Sequence, residues 1–318
     1  MLCSRFLKGW SLMPYDLTTP LVIAISSRAL FNLEAENSIF EKEGLKAYTE
    51  YQLQHERDII PKGPAFPLVE AFLRLNGLTG ERRVVEVIIV SRNSPDTSLR
   101  IFSSVERYGL DITRAALVGG ADVTPYLRSF HTDLFLSAYG PDVKRAVDEG
   151  IAAGQILTGV SHSEAEKPVD QIRIAFDGDA VLFNAEAERV FQHNGLEAFT
   201  RHEQDKANVP LKKGPFANFL MTLSNIQALF PSQENAPIRT ALVTSRNAKA
   251  LERPLRTLRE WGVRVDEAFF LGGVTKKEVL ASFGAHIFFD DQHVHADPAN
   301  EVVPSALVPY RSDDDPAE

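Results

Sequence analysis

Short apolar runs that stop abruptly at polar residues recur along the chain, separated by segments whose apolar positions repeat every three or four residues. Ile172–Phe176, Thr240–Val243 and His286–Phe289 are too short for helices and predict buried strands. Between the last two, Leu251, Leu255, Leu258 and Trp261 recur at helical spacing, which predicts a helix over Ala250–Trp261. Alternation of this kind predicts an α/β fold with a largely parallel sheet, whose ligands sit beyond the carboxyl ends of the strands.

The pattern is written twice. Ala24-Ile-Ser-Ser-Arg-Ala-Leu-Phe-Asn32 resembles Ala175-Phe-Asp-Gly-Asp-Ala-Val-Leu-Phe-Asn184, with one extra residue in the second copy. Lys62-Gly63-Pro64 then matches Lys213-Gly214-Pro215, Ser91-Arg92-Asn93 matches Ser245-Arg246-Asn247, and Gly119-Gly120 matches Gly272-Gly273. The order is kept and the register drifts only slightly, so two tandem units of one topology are expected. They span residues 21–150 and 171–310, with a connection over 151–170, a leader over 1–20 and an acidic tail over 311–318.

Composition narrows the function classes. At 318 residues and 44% hydrophobic content the chain can bury a substantial core. A formal charge of −9 argues against a broad nucleic-acid or acidic-membrane surface, leaving room only for a local cationic pocket. Cys3 is the only cysteine, which excludes an intramolecular disulfide and a Cys-rich metal site. No stretch approaches the roughly 20 apolar residues of a membrane span, so a soluble, cytoplasmic protein is expected.

Each apolar run of the second unit ends in residues suited to phosphoryl transfer: Asp177-Gly178-Asp179, Thr244-Ser245 and Asp290-Asp291. Carboxylates gathered at one sheet edge repel each other unless a cation sits among them, and an oxygen-only set suits Mg²⁺. Asp177 is then placed to attack phosphorus. Asp179, past a glycine that lets the turn close, is placed to protonate the leaving oxygen and to activate the water. Thr244, with Ser245, would hold phosphoryl oxygens. Lys276 or Lys277, opening the helical segment Thr275–Phe283, would balance the charge. Arg246 and Asn247 are read either as turn residues or as phosphate contacts, and His202, His293 and His295 as surface residues. Among Phe183, Phe191, Phe199, Phe216 and Phe219, most are expected in the core and one or two against a nucleobase, with Phe183 and Phe216 the candidates.

The order Asp-x-Asp, Thr, Lys, Asp-Asp resembles that of haloacid-dehalogenase-like phosphatases. More narrowly, Phe176–Phe183, Ala24–Phe31, Asp148-Glu-Gly-Ile-Ala-Ala153 and His286-Ile-Phe-Phe-Asp-Asp-Gln292 are similar to strings of the cytosolic 5′-nucleotidase type I family, over about Leu21 to Tyr310. The resemblance implies two Rossmann-like units, the second catalytic with a small helical cap at about 184–236. It also implies Mg²⁺-dependent hydrolysis of AMP-like nucleoside monophosphates, homo-oligomerisation, and activation by nucleoside diphosphates in animal members. By position it makes Asp177 the nucleophile, Asp179 the acid/base, Thr244 and Lys276 the phosphate ligands, and Asp177, Asp179, Asp290 and Asp291 the metal site. A sugar-phosphate phosphatase or phosphotransferase of the same superfamily, and a nucleotide-sensing pseudoenzyme, are the alternatives.

The first unit lacks this chemistry. Ser26 and Arg28 stand in place of Asp177 and Asp179, and Ser137-Ala138 in place of Asp290-Asp291. It is expected to be a scaffold or a regulatory nucleotide site in which Arg28 binds a phosphate.

Overall fold

The computed structural model describes residues 15–80, 82–160, 170–230 and 236–312. Most of the expected leader, the acidic tail from residue 313 and part of the connection lie outside these residues. The first half runs β1 (Leu21–Ile25), α1 (Ser27–Leu30), α2 (Glu34–Gln54), α3 (Phe66–Leu78), β2 (Val85–Ser91), α4 (Leu99–Arg107), β3 (Arg114–Leu117), α5 (Thr124–Ser129), β4 (Leu134–Ser137), α6 (Gly140–Asp148), β5 (Ala152–Ile156). The second runs β6 (Ile172–Phe176), α7 (Glu186–Asp205), α8 (Ala217–Gln227), β7 (Ile238–Thr244), α9 (Glu252–Glu260), β8 (Glu267–Phe270), α10 (Lys277–Phe283), β9 (Ile287–Asp290), α11 (His293–Ala299), β10 (Ser305–Leu307). The expected connection over 151–170 therefore opens with a strand. Ala152–Ile156 pairs on both sides, so it belongs to the sheet rather than to a linker.

All ten strands of the described residues form one sheet in the order β3-β2-β1-β4-β5-β10-β9-β6-β7-β8. Read outward from the middle, the two halves have corresponding neighbours. Every pairing is parallel except the central one, where Ala306 faces Ile156 and Leu307 faces Gln155 on antiparallel strands. That reversal sends the carboxyl ends of the two halves' parallel strands to opposite edges of the sheet, so the edge that carries Ser26 is not the edge that carries Asp177.

The inner strands are buried on both faces, as near-continuous apolar runs require. In β1, Leu21, Ile23 and Ile25 join one cluster while Val22 and Ala24 join another with α5 and α6. The first cluster is shared across the molecule: it also takes Phe176 and Phe289 from the second half, with Phe216, Phe219 and Leu220. Helices α2 and α7 each contain one residue that breaks helical geometry, Gly44 at φ 85° and Gly195 at φ 76°. Among the described residues no helix is long and apolar enough to cross a membrane.

The repeated Lys-Gly-Pro strings have a steric cause. A Cβ on Gly214 would lie 2.3 Å from the Phe183 carbonyl oxygen and 2.5 Å from that of Val181; one on Gly63 would lie 2.7 Å from the Phe31 carbonyl carbon. In both halves the glycine lets its chain press on the turn that follows the first strand, where Phe31 bridges Lys62 and Phe183 bridges Lys213. The repeated Gly-Gly loops likewise bond back to the repeated Ser-Arg-Asn turns: Gly120 N–H donates to Arg92 O and Gly272 N–H to Arg246 O.

Candidate active site

Strand ends assemble the site. Asp177 follows β6, and its N–H donates to Phe289 O at 2.8 Å, which locks it beside the end of β9 where Asp290 stands. The turn after it closes at Ala180, which takes φ 60°, rather than at Gly178 as expected; a left-handed backbone at a non-glycine residue costs roughly 1 kcal/mol or more and is held here by the surrounding packing.

Lys276, just before α10, is buried and settles which lysine faces the acids. Its ammonium contacts Asp177 Oδ1 and lies 2.7 Å from Asp290 Oδ2, whereas Lys277 reaches outward to Glu301. Asp290 also accepts from the Gln292 N–H at 2.9 Å. Asp291 accepts from the Tyr310 hydroxyl. Burial raises the Asp177 carboxyl to about 6, with Lys276 opposing and Asp290 and Asp179 reinforcing the rise. Burial likewise raises Asp290, and Asp291 well above the usual range. Burial disfavours the Lys276 ammonium, but Asp177 and Asp290 outweigh this and hold its pKa above the ordinary value.

Thr244 ends β7, is buried, and accepts the Arg246 N–H at 3.2 Å. A Cβ on Gly178 would lie 3.5 Å from Thr244 Oγ1, so the hydroxyl lies close behind the Asp177 turn. A cleft of about 100 Å³ is lined by Asp177, Asp179, Thr244, Ser245 and Lys276 and, as a second wall from α7 and the start of α11, by Glu188, Phe191, Gln292 and His295.

Three expectations need correction. Arg246, considered as a phosphate ligand, is buried with each guanidinium nitrogen on a carboxylate: Nε and Nη2 bind Asp179 at 2.8 and 2.7 Å and Nη1 binds Glu203. Glu203 in turn accepts from Arg253 at 2.8 Å, so a buried ion network joins α7 to α9 and to Asp179. Both oxygens of the Asp179 side chain thus accept from Arg246. Phe183 and Phe216, considered for a nucleobase, are fully buried; Phe183 packs on Trp261 and Phe216 on Phe289, with ring centroids 5.6 and 4.5 Å apart.

Arg28, on the other edge, is the third. It binds Glu34 through Nε at 2.8 Å and Nη2 at 2.9 Å, which removes the free cation that an anion site there would need. Ser26 occupies the place of Asp177, as its N–H donates to Leu136 O at 2.9 Å, but its hydroxyl only caps α1.

Residues to which the sequence reading gave no place in the site line the cleft's second wall. Glu188 is held above the usual carboxylate range by burial, then by Asp179 and Asp177. His295, taken from the sequence as a surface residue, is half-buried with Nε2 3.3 Å from Ser245 Oγ. Nothing in linear spacing flags them, because α7 and α11 meet only through the fold.

The donor chemistry suits a hard divalent cation. Asp177, Asp290 and Asp291 are three buried carboxylates, the first two paired with the Lys276 ammonium and the third with the Tyr310 hydroxyl, an oxygen-only set with excess negative charge. Among the described residues no three His, Cys, Asp or Glu side chains close around a single point. Lys276 holds the space between two of the acids.

The family model described as 5′-nucleotidase matches residues 13–315. A human protein, cytosolic 5′-nucleotidase 1B, is 38% identical over 309 residues, which is 94% of this chain and 49% of that protein. The chain thus spans about half the length of that relative. No solved structure matches significantly. The match over nearly the whole chain, together with acids, threonine and lysine meeting at one sheet edge, shows that the chain belongs to the 5′-nucleotidase family.

Proposed function

We propose that this protein is a magnesium-dependent 5′-nucleotidase that hydrolyses AMP-like nucleoside 5′-monophosphates through a phosphoryl group carried on Asp177. The observation that carries the reading is Lys276, whose buried ammonium joins Asp177 and Asp290 beside the cleft that Thr244 also lines. Burial disfavours both carboxylates, and their retention around a buried ammonium, with Asp177 lining the cleft, supports a role in phosphoryl transfer.

Asp177 attacks phosphorus in line, forming an acyl phosphate as the bond to the 5′-oxygen breaks. Thr244 and Ser245 donate hydroxyl hydrogen bonds to phosphoryl oxygens, and Lys276 swings its charge from the acids toward the transferring group. Asp179 gives a proton to the departing 5′-oxygen and later takes one from the water that attacks the acyl phosphate, returning free Asp177 and phosphate. To do so it has to open one of its two bonds to Arg246. Asp177, Asp290 and Asp291 would hold Mg²⁺, which supplies charge neutralisation for the incoming phosphate. We place the reaction in the cytosol, as in the human relative's name. The first half is read as a degenerate copy serving as scaffold: its corresponding strand order carries Ser26 and Ser137 where the acids stand.

Phosphate release from AMP by wild type and Asp177→Asn tests this. The substitution removes the nucleophile without opening a cavity, so turnover is expected to fall by about 10⁴-fold or more with the fold intact. Hydrolysis of AMP by Asp177→Asn at near the wild-type rate would overturn the mechanism.

A further inference from the structure

The second wall of the cleft takes no part in the steps above. Glu188 and Phe191 are three residues apart on α7 and share a face; Gln292, capping α11, and His295 complete the wall. The wall is tied together: Glu188 Oε1 accepts from Gln292 Nε2 at 3.4 Å and from Gln192 Nε2 at 3.0 Å, and His295 is anchored on Ser245. Phe191 is 44% exposed at the rim, while Phe199 behind it is buried against Arg246.

A carboxylate here repels a phosphate dianion and has only acceptor atoms to offer, so its partner in a substrate is a hydroxyl or amino group. In a nucleoside monophosphate the first such donors beyond the ester oxygen are the sugar hydroxyls. The cleft, at about 100 Å³, is smaller than the ~300 Å³ at which pockets begin to enclose whole small molecules. The phosphate therefore fills it, and sugar and base stand at the mouth. Gln292 adds an amide that both donates and accepts, and Phe191 offers a flat face one turn further out.

We propose that Glu188 and Gln292 bind the ribose hydroxyls and Phe191 the base, so that this wall is the leaving-group subsite and Glu188 selects ribonucleotides. The proposal rests on the nucleotidase reading and deepens it. A site built to bond a hydroxyl discriminates against the analogue that lacks it, because the carboxylate's bond to that hydroxyl is lost while its bonds to Gln192 and Gln292 remain.

The test is steady-state kinetics of the full chain with AMP, its 2′,3′-dideoxy counterpart and phenyl phosphate. Wild type is expected to favour AMP over the dideoxy analogue by about tenfold or more in kcat/KM. Glu188→Gln is expected to shrink that ratio to about twofold, mainly through a higher KM for AMP. Phe191→Leu serves as the second variant and is expected to raise KM for both nucleotides more than for phenyl phosphate. An unchanged AMP-to-dideoxy ratio in Glu188→Gln overturns the proposal. So does an equal loss on all three substrates, which would move Glu188 to the reacting phosphate or the metal. If wild type cleaves phenyl phosphate but neither nucleotide, the nucleotidase reading fails; if it cleaves both nucleotides equally, the subsite alone fails.

Discussion

Arg246 grips Asp179 through two guanidinium nitrogens, at 2.8 and 2.7 Å, and carries Glu203 of α7 on the third. The residue read as acid/base is therefore aimed by a cation that is itself anchored on the helix covering the cleft.

Arg246→Lys keeps a charge but loses the two-pronged hold, since an ammonium is a point donor. It is expected to lower kcat on AMP by about tenfold or more, with KM changed much less, because the affected group acts in the bond-breaking step. Equal effects on KM and kcat would show that Arg246 helps to bind substrate instead.

Glu203→Gln leaves Arg246 and Arg253 sharing a neutral partner in a buried site. Breaking a buried pair by removing one member costs about 3–5 kcal/mol, so unfolding in urea should show a loss of that order. A loss below about 1 kcal/mol would mean that the network is open to water.

Chelation of divalent cations is expected to stop hydrolysis, and added Mg²⁺ to restore it. Asp290→Ala should raise the Mg²⁺ concentration needed for half-maximal rate. Turnover that survives exhaustive chelation would remove the metal role of Asp177, Asp290 and Asp291.

Gly214→Ala puts a Cβ 2.3 Å from a backbone oxygen that no side-chain rotation can relieve. The substitution is expected to destabilise the chain by about 1–3 kcal/mol and to disturb the turn bearing Asp179. Thermal unfolding with activity measured in parallel checks both effects.

Arg28→Ala removes a pair that is partly exposed, with 28% and 40% of its side chains accessible. Its expected effect on stability is within about 1 kcal/mol, and any response of turnover to added nucleoside di- or triphosphate should match wild type. Loss of such a response would restore the anion-site reading of the first half.

Much of this was legible in the chain because it is local. Ile172–Phe176 is a strand with the expected bounds, Thr240–Val243 and His286–Phe289 fall within one residue or two of β7 and β9, and Asp177, Thr244 and Asp290 sit at their ends because alternating strands and helices place carboxyl termini on a common edge. The doubled strings were visible because repetition is a property of sequence. What the chain could not declare is partnership. Whether Arg246 meets a phosphate or Asp179, whether Arg28 is free or bound to Glu34, and whether Phe183 and Phe216 face a base or the core depend on which side chains arrive from other elements. The antiparallel seam between β5 and β10 decides that Ser26 and Asp177 open on opposite edges, and the approach of the α11 cap to α7 decides that Glu188 meets Gln292 across 104 residues. Strand ends follow from the period of the pattern; contacts between distant helices follow only from packing.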